Sequence, residues 1–277
     1  MQQNISFIGG GNMARSLIGG LLQDGYPAEQ IHVCDPDATQ RERLQRTFSV
    51  PVAETLDEIV EQADCLVLAV KPQVLSSVCL QLAPQIKSKT PLVLSIAAGV
   101  RADSISRWLG GGHAIVRCMP NTPALIQTGA SALFANNAAS EEQRGLAESI
   151  MRSVGIVLWL EDEKLMDAVT ALSGSGPAYI FLVIEAMQKA GEQLGLPAEQ
   201  SKLLALQTVL GAAKMAMESN EPVADLRARV TSKGGTTEKA LETFARGKLP
   251  ELFADAMTAA AERSAELAVQ LDQNRKT

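Results

Sequence analysis

Short apolar runs alternate with helix-like segments over the first half of the chain. The strand-like runs are residues 5–8, 31–34, 65–70, 91–96 and 114–119. Between them, segments such as 12–23, 55–62 and 73–83 carry apolar residues three and four positions apart, as the buried face of a helix does. Strands that alternate with helices are typical of βαβ units, so the pattern predicts a parallel sheet.

The pattern changes in the second half of the chain. Two more strand-like runs, 130–135 and 156–160, flank a helical pattern at 140–153 and extend the sheet. After residue 164 no strand-like run follows, and the chain shows long helical patterns. They cover residues 177–194, 197–218 and 250–271. We therefore predict an α/β fold with an α/β domain over residues 1–164 and an all-helical domain over residues 165–277.

The helix predicted at 177–194 is apolar around most of its circumference. A helix of this kind is stable in water only when several of its sides are covered. The helical domain is too small to enclose it, so we expect a second subunit to do so. This reasoning predicts an obligate homodimer.

Composition and charge exclude several classes of function. The chain has 277 residues, 46% of them hydrophobic, which suffices for a sizeable core. Its formal charge is −6 without a basic face, so we expect no nucleic acid partner. No apolar run approaches the roughly 20 residues of a membrane span, and residues 1–11 do not resemble a secretory signal. We expect no membrane partner and a cytoplasmic location.

The cysteines and histidines offer little catalytic or metal-binding chemistry. Four cysteines show no ligand spacing, and we expect them to be buried and reduced. The two histidines, His32 and His113, lie beside apolar strand positions and far from the motifs described below. We therefore expect neither a histidine-based triad nor a metal site.

A glycine loop follows the first strand directly. Residues 9–14 read Gly-Gly-Gly-Asn-Met-Ala and fit the pattern GxGxxA between a strand and a helix. In this context Gly9 permits the tight turn, Gly11 lets the backbone approach a pyrophosphate, and Ala14 lets helix and strand pack closely. The sequence thus predicts a Rossmann-type dinucleotide-binding domain for NAD(P)(H).

The choice between NAD(H) and NADP(H) stays open from the sequence. Asp35 ends the second strand, where an acidic side chain commonly accepts a hydrogen bond from the ribose 2′-hydroxyl of NAD. Arg41 and Arg43 follow closely and could meet a 2′-phosphate, while Pro36 and Asp37 could turn the carboxylate aside.

Other strand ends should line the same cleft, because ligands of open α/β sheets bind there. These ends are 69–72, 95–99 and 119–124. Small residues at 97–99 leave space for a nicotinamide ribose, and two prolines at 120 and 123 can form a rigid wall. Lys71 is either a cofactor contact or a solvated loop lysine. The candidate cofactor-binding residues are Ile8, Gly9, Gly10, Gly11, Asn12, Met13, Asp35, Ala69, Val70, Lys71, Pro72, Ala97, Ala98, Gly99 and Pro123.

Two stretches of the second half are rich in Gly, Ser and Thr, and each opens a helix. They are residues 173–179 and 231–238. By local rules both could be caps and turns. The second also concentrates backbone N–H groups and hydroxyls at a helix N-terminus without a charged acceptor, which suits a small carboxylate.

Taken together, these motifs resemble the pyrroline-5-carboxylate reductase family in order and spacing over essentially the whole chain. The stretches that carry the resemblance are residues 7–14, 69–72, 95–99, 119–124, 173–179 and 234–237. The resemblance implies reduction of 1-pyrroline-5-carboxylate to L-proline, the last step of proline synthesis, by hydride transfer from NADPH or NADH to the C=N carbon. It also implies a dimer with intertwined helical domains, often assembled into a decamer of five dimers.

The resemblance also implies roles for the second Gly-rich stretch. The substrate carboxylate would bind at Ser232, Gly234, Gly235 and Thr236, and the hydroxyl of Thr237 would hydrogen-bond the ring nitrogen as the catalytic group. The chain departs from many members at Lys233, where proline is common. Asp35-Pro36 is a second departure, since members that prefer NADPH often have Ser, Asn or Arg there.

Two other functions fit the fold prediction. A β-hydroxyacid dehydrogenase shares the two-domain plan but needs a catalytic lysine on the interdomain helix, and residues 165–188 contain none. A non-catalytic NAD(P) sensor would have lost the substrate loop, which is intact at 234–237. The reductase is therefore the favoured hypothesis.

Overall fold

A computed structural model describes residues 3–87 and 89–273. The strands are β1 (Ile5–Ile8), β2 (Ile31–Cys34), β3 (Val52–Ala53), β4 (Cys65–Leu68), β5 (Leu92–Ser95), β6 (Ile115–Met119), β7 (Gly129–Ala135) and β8 (Gly155–Trp159). The helices of the first half are α1 (Asn12–Gln23), α2 (Ala38–Phe48), α3 (Asp57–Val60), α4 (Pro72–Leu82), α5 (Ala102–Trp108) and α6 (Glu141–Arg152). Those of the second half are α7 (Leu165–Val169), α8 (Gly176–Gln193), α9 (Ala198–Glu218), α10 (Val223–Arg229), α11 (Thr236–Arg246) and α12 (Leu249–Gln273). Short 3₁₀ helices lie at Ala28–Gln30 and Thr122–Ile126.

The strands form one eight-stranded sheet in the order β3-β2-β1-β4-β5-β6-β7-β8. Neighbouring strands are parallel except β6 and β7, which are antiparallel. Only residues 120–128 connect these two strands. A parallel pair needs a crossover of about a dozen residues or more, so the chain returns antiparallel. The predicted α/β fold with a Rossmann-type sheet and a helical second half is confirmed.

The central strands are buried on both faces of the sheet. Phe7 and Val67 pack into the core on one face, and Ile8 and Leu68 pack into the core on the other. In register, Ile5 lies opposite Ile31 of β2 and Cys65 of β4. Burial of this kind fixes the register of a strand. The loops that leave β1 and β4 therefore start from the most rigid part of the fold.

The cysteines are free and buried, as predicted. Burial raises the pKa of the Cys34 thiol to about 11 and those of Cys79 and Cys118 to about 12. Burial also raises the pKa of Cys65. Because the thiolate is the reactive form, these side chains behave as small hydrophobic groups of the core.

The chain divides into two compact units. One comprises the residues up to Ser175 together with those from Ala260 onward, and the other is Gly176–Ala259. The predicted boundary between residues 164 and 165 stays a prediction. In the first unit, the end of α12 packs on the α/β core: Ala268 is buried, and Ser104 donates a hydrogen bond of 2.6 Å to Asp272.

The second unit exposes much apolar surface. On α8 the side chains of Ile180, Phe181 and Leu182 are 45%, 66% and 65% exposed. In the single chain, this helix is therefore not buried on several sides as its composition demands. The helical stretch 165–193 is also long and apolar enough, by length and composition alone, to cross a membrane. The apolar pattern of the sequence does not predict this stretch, because charged residues interrupt it.

Candidate cofactor and substrate sites

A cleft lies at the carboxyl ends of the central strands. Gly9 N donates to Cys34 O at 2.8 Å and Ala69 N donates to Ile8 O at 2.9 Å, so the loops after β1, β2 and β4 are tied together. In the sheet, β1 lies between β2 on one side and β4 on the other, so the strand order changes direction beside β1. Folds of this type bind their ligands at such a switch point. The cleft has a volume of about 830 Å³. Its lining includes Ile8, Gly9, Gly11, Asp35, Ala69, Val70 and Lys71 from the predicted cofactor set.

The glycine loop has the geometry of a dinucleotide site. Gly9 has a φ of +101°, and a β-carbon there would lie 2.8 Å from the carbonyl oxygen of Ala69. Only glycine fits this turn. At Gly11 a β-carbon would meet nothing within 4 Å, although the residue lines the cleft. The free space at Gly11 therefore faces the ligand side.

The first turn of α1 offers unoccupied backbone donors. Gly11 is the N-cap, it has no side chain to accept from the first N–H groups, and the first turn holds no acidic residue. The partial positive charge of a helix N-terminus attracts an anion. The loop and helix thus fit the pyrophosphate of NAD(P)(H).

The side chain of Asp35 is held by backbone donors. Gly10 N donates to its Oδ2 at 2.7 Å, and Asp37 N donates to its Oδ1 at 2.9 Å. Pro36 therefore does not turn the carboxylate out of the cleft, which Asp35 lines. Arg41, which the sequence offered as a partner of a 2′-phosphate, donates instead to the backbone carbonyl of Asp35. Arg43, the other candidate, is exposed on α2.

The structure does not bring the whole predicted cofactor set into one cleft. Pro72, Ala98 and Gly99 line a second cavity of about 360 Å³, shared with Thr170, Ser175 and the end of α12. Ala97 is buried beside them. Asn12 lines a different cavity, together with other residues of α1, and Met13 packs against the core. Gly10 lies close to the side chain of Leu44, and Pro123 belongs to the 3₁₀ helix Thr122–Ile126.

Asn121 ties the end of β6 to the first Gly-rich stretch, a link that the sequence analysis missed. Its Nδ2 donates to Ser173 O at 3.1 Å, and its Oδ1 accepts from Ala130 N at 2.9 Å. The stretch itself starts as a π-helical turn, Thr170–Gly174, closed by Ser175 N donating to Thr170 O at 2.8 Å. Turns of this kind occur often at functional sites. The sequence signal for this link is the amide side chain of Asn121 within the stretch Pro-Asn-Thr-Pro at residues 120–123.

The second Gly-rich stretch forms the loop between α10 and α11. Gly234 has a φ of +72°, and Gly235 is the N-cap of α11. Gly235 N donates to Ser232 O at 3.0 Å, which closes a turn directly before the helix. Thr236 and Thr237 are the first two residues of α11. All the predicted substrate residues therefore lie within one turn and the helix start.

Glu238 corrects one expectation about this loop. A loop without a charged acceptor was expected, yet Gly234 N donates to Glu238 Oε2 at 2.7 Å. A glutamate in the first turn of a helix commonly reaches back to an unpaired N–H group. A ligand carboxylate at this loop would therefore meet two occupied donors, Gly234 N and Gly235 N, and a nearby negative charge.

Comparisons with known proteins match both halves of the chain. Residues 163–267 match the family model described as pyrroline-5-carboxylate reductase dimerisation, and residues 4–99 match that of NADP oxidoreductase, coenzyme F420-dependent. A pyrroline-5-carboxylate reductase of Pseudomonas aeruginosa is 52% identical, with 97% of this chain and 98% of that protein covered. That of Pasteurella multocida is 44% identical over 96% and 98% of the two chains.

The chain belongs to the pyrroline-5-carboxylate reductase family. It is an oxidoreductase that reduces 1-pyrroline-5-carboxylate to proline with NAD(P)H. The reductase structure from Coxiella burnetii superposes with a TM-score of 0.93 at 46% identity, covering 96% of this chain and 99% of that one. The pyrroline carboxylate reductase of Plasmodium falciparum, solved with NADP bound, gives 0.85 at 30% identity over 96% and 98%.

Membership of the reductase family explains the exposed apolar helix. The dimerisation match covers all of α8, whose apolar side chains lie uncovered in the single chain. The protein forms homo-oligomers, and protein rather than lipid is the expected neighbour of residues 165–193.

Proposed function

We propose that this reductase transfers hydride to the C=N carbon of 1-pyrroline-5-carboxylate, with the dinucleotide in the β1–β4 cleft and the substrate carboxylate at residues 232–237. The reaction is the last step of proline synthesis. The observation that carries the proposal is the α10–α11 loop, where backbone donors and two threonines meet at a helix start. In a family that acts on a small cyclic carboxylate, such a site suits the substrate.

The protein's own groups have two tasks in this proposal. The bound nicotinamide supplies the hydride. The N–H groups at the start of α1 hold the pyrophosphate, and the space at Gly11 admits it. The loop at Gly235 orients the substrate carboxylate, and Thr237 hydrogen-bonds the ring nitrogen. A protonated C=N is already electrophilic, so positioning supplies most of the rate.

Histidine takes no part in this mechanism. His32 lies on β2 and His113 precedes β6, and both are buried. Burial lowers the pKa of His32 below its ordinary value, so its ring is neutral at physiological pH. Neither is in the loops that hold the proposed ligands. The pH dependence of turnover should therefore show no step that comes from a histidine.

The proposal is tested by following the absorbance of NADH and NADPH as purified protein meets 1-pyrroline-5-carboxylate, with proline identified in the product. We expect oxidation of the cofactor with an equal amount of proline formed. Folded protein that binds the cofactor yet forms no proline would refute the proposed substrate.

Replacing Gly235 with proline should raise the KM for 1-pyrroline-5-carboxylate by about 10- to 100-fold. Gly235 N donates to Ser232 O, and proline lacks this donor, so the loop loses its closing turn. With the turn open, the substrate carboxylate should lose one well-placed loop N–H donor, and one hydrogen bond to a charged group is worth about 1.5–3 kcal/mol. The dissociation constant of the cofactor, measured by fluorescence titration, serves as the control and should not change. An unchanged KM would place the substrate elsewhere.

We further propose a homodimer built on the α8 face, and a decamer of five such dimers. Light scattering should give a mass of at least two chains. Phe181→Asp puts a charge on a side chain that is 66% exposed in the single chain and should lower the mass to one chain. A monomeric wild-type protein would refute the dimer, and a dimer without larger species would refute the decamer.

We infer that the enzyme works in the cytoplasm. Its longest apolar helical stretch falls within the dimerisation match, where another subunit is available to cover it. Cell fractionation should recover the protein in the soluble fraction, and recovery with the membranes would contradict this inference.

A further inference from the structure

The end of the cleft beyond β2 is acidic. Asp35, Glu54 and Asp57 all line it. Lys71 is the one cation among the described residues that line the cleft, and it follows β4, with β1 between that strand and β2. The loops after β2 and β3 therefore present negative charge to whatever part of a dinucleotide lies there.

Asp35 is fixed in this position. Its two oxygens accept from Gly10 N and Asp37 N at 2.7 and 2.9 Å, so the carboxylate is tied to the glycine loop. An acidic side chain at the end of the second strand typically accepts from the ribose 2′-hydroxyl of NAD. Each oxygen keeps a lone pair for such a donor. A phosphate in the same place has no proton to offer and repels the carboxylate.

Arg41 lies beside this end, and both terminal nitrogens of its guanidinium group already donate hydrogen bonds. Nη1 donates to Asp35 O at 2.7 Å and to Pro36 O at 2.9 Å, while Nη2 pairs with Glu54 Oε2 at 3.1 Å. The Arg41 side chain is only 18% exposed. Arg41 therefore holds the β2 loop in shape, and a 2′-phosphate would have to compete with these partners for the guanidinium group.

We propose that this chain selects NADH over NADPH through Asp35 and Glu54, with Arg41 as the positioning residue that holds both. The inference rests on the cleft being the cofactor site of the proposed function. A 2′-phosphate carries a charge of about −1.5 to −2 at neutral pH, so it would face the carboxylates of Asp35 and Glu54, while Arg41 is already paired with Glu54.

The test is a fluorescence titration of the full-length protein with NADH and NADPH, without substrate. We expect NADH to bind at least 10-fold more tightly at low salt, and the difference to narrow as salt screens the charges. Equal affinities, or tighter binding of NADPH, would overturn the proposal. Since no turnover is measured, this result is independent of whether 1-pyrroline-5-carboxylate is reduced.

Two variants locate the selectivity. Glu54→Gln removes one charge and frees Arg41, so NADPH affinity should rise at least several-fold while NADH affinity changes little. Asp35→Asn keeps an acceptor for the loop and should raise NADPH affinity as well. Glu58→Gln is the matched control, because Glu58 pairs with Thr55 and does not line the cleft. A Glu54→Gln protein with the wild-type preference would assign the selectivity to Asp35 alone and overturn the role of Glu54.

Discussion

Replacing Thr237 with alanine should lower kcat by about 100-fold while the protein stays folded and binds its cofactor normally. Thr237 is the second residue of α11 and is half-buried beside the Gly235 turn, so a methyl group there leaves the helix start intact. The loss removes the hydrogen bond proposed for the substrate nitrogen, and removal of one preorganised hydrogen-bonding group at a reacting centre typically costs about 10²–10³ in kcat.

Thr243→Ala supplies the control for this experiment. Thr243 lies on the same helix, is exposed, and donates to Lys239 O. The same chemical change there should leave kcat as it is. Serine at position 237 should restore part of the rate, because it keeps the hydroxyl. If Thr237→Ala turns over at the wild-type rate, the residue has no place in the mechanism.

Alanine at Gly9 and alanine at Gly11 should fail in different ways. At Gly9 the new β-carbon would lie 2.8 Å from a backbone oxygen and φ is +101°, so we expect a loss of stability of several kcal/mol and a lower Tm. At Gly11 the β-carbon meets no protein atom within 4 Å, so the fold should be unaffected. The added methyl group would occupy the space that we assign to the pyrophosphate, so the affinity for the cofactor should fall at least 10-fold.

Thermal unfolding and cofactor titration separate these two effects. Gly110→Ala controls for the loss of a glycine with positive φ outside the cleft, since its φ is +90° and its β-carbon would have no neighbour within 4 Å. Equal Tm values for Gly9→Ala and wild type would contradict the packing argument. If the Gly11→Ala protein binds the cofactor with wild-type affinity, the pyrophosphate does not bind at this loop.

The sequence predicted well those elements whose burial pattern is local. Asn12–Gln23 has the predicted bounds, because its buried positions recur at helical spacing between a glycine loop and an exposed polar turn. Most strands agree within a residue or two at each end, since they are continuous apolar runs of a sheet that is buried on both faces.

Elements with weak or short signals escaped prediction. β3 has two residues, Val52–Ala53, and is a strand only because it pairs with β2. α5 and α10 are seven residues long, so each offers too few positions for a period to show. The direction of β7 follows from the length of its connection, which the apolar pattern does not encode.

The candidate sites show the same division. The tight turn at Gly9 follows from the local strand–loop–helix pattern and could be predicted from the sequence, whereas the role of Gly11 in cofactor binding stays a prediction. The separation of Ala98 and Gly99 from the β1–β4 cleft depends on the end of α12, which comes from a distant part of the sequence. Glu238 could have been predicted from its first-turn position, and only the geometry shows that it takes the N–H of Gly234.

The two compact units of this protein do not follow one another along the chain. Residues 176–259 are an insertion into the nucleotide-binding unit, which the last part of α12 completes. Ser264 donates to Asp167 at 2.7 Å, and Asp272 binds both Ser104 and Arg107. A protein shortened at residue 259 would thus lose a packed side of its nucleotide-binding unit together with the end of α12. A fragment designed to fold around the cofactor should therefore include the end of α12, with a linker from Ser175 to Ala260 in place of the inserted helices.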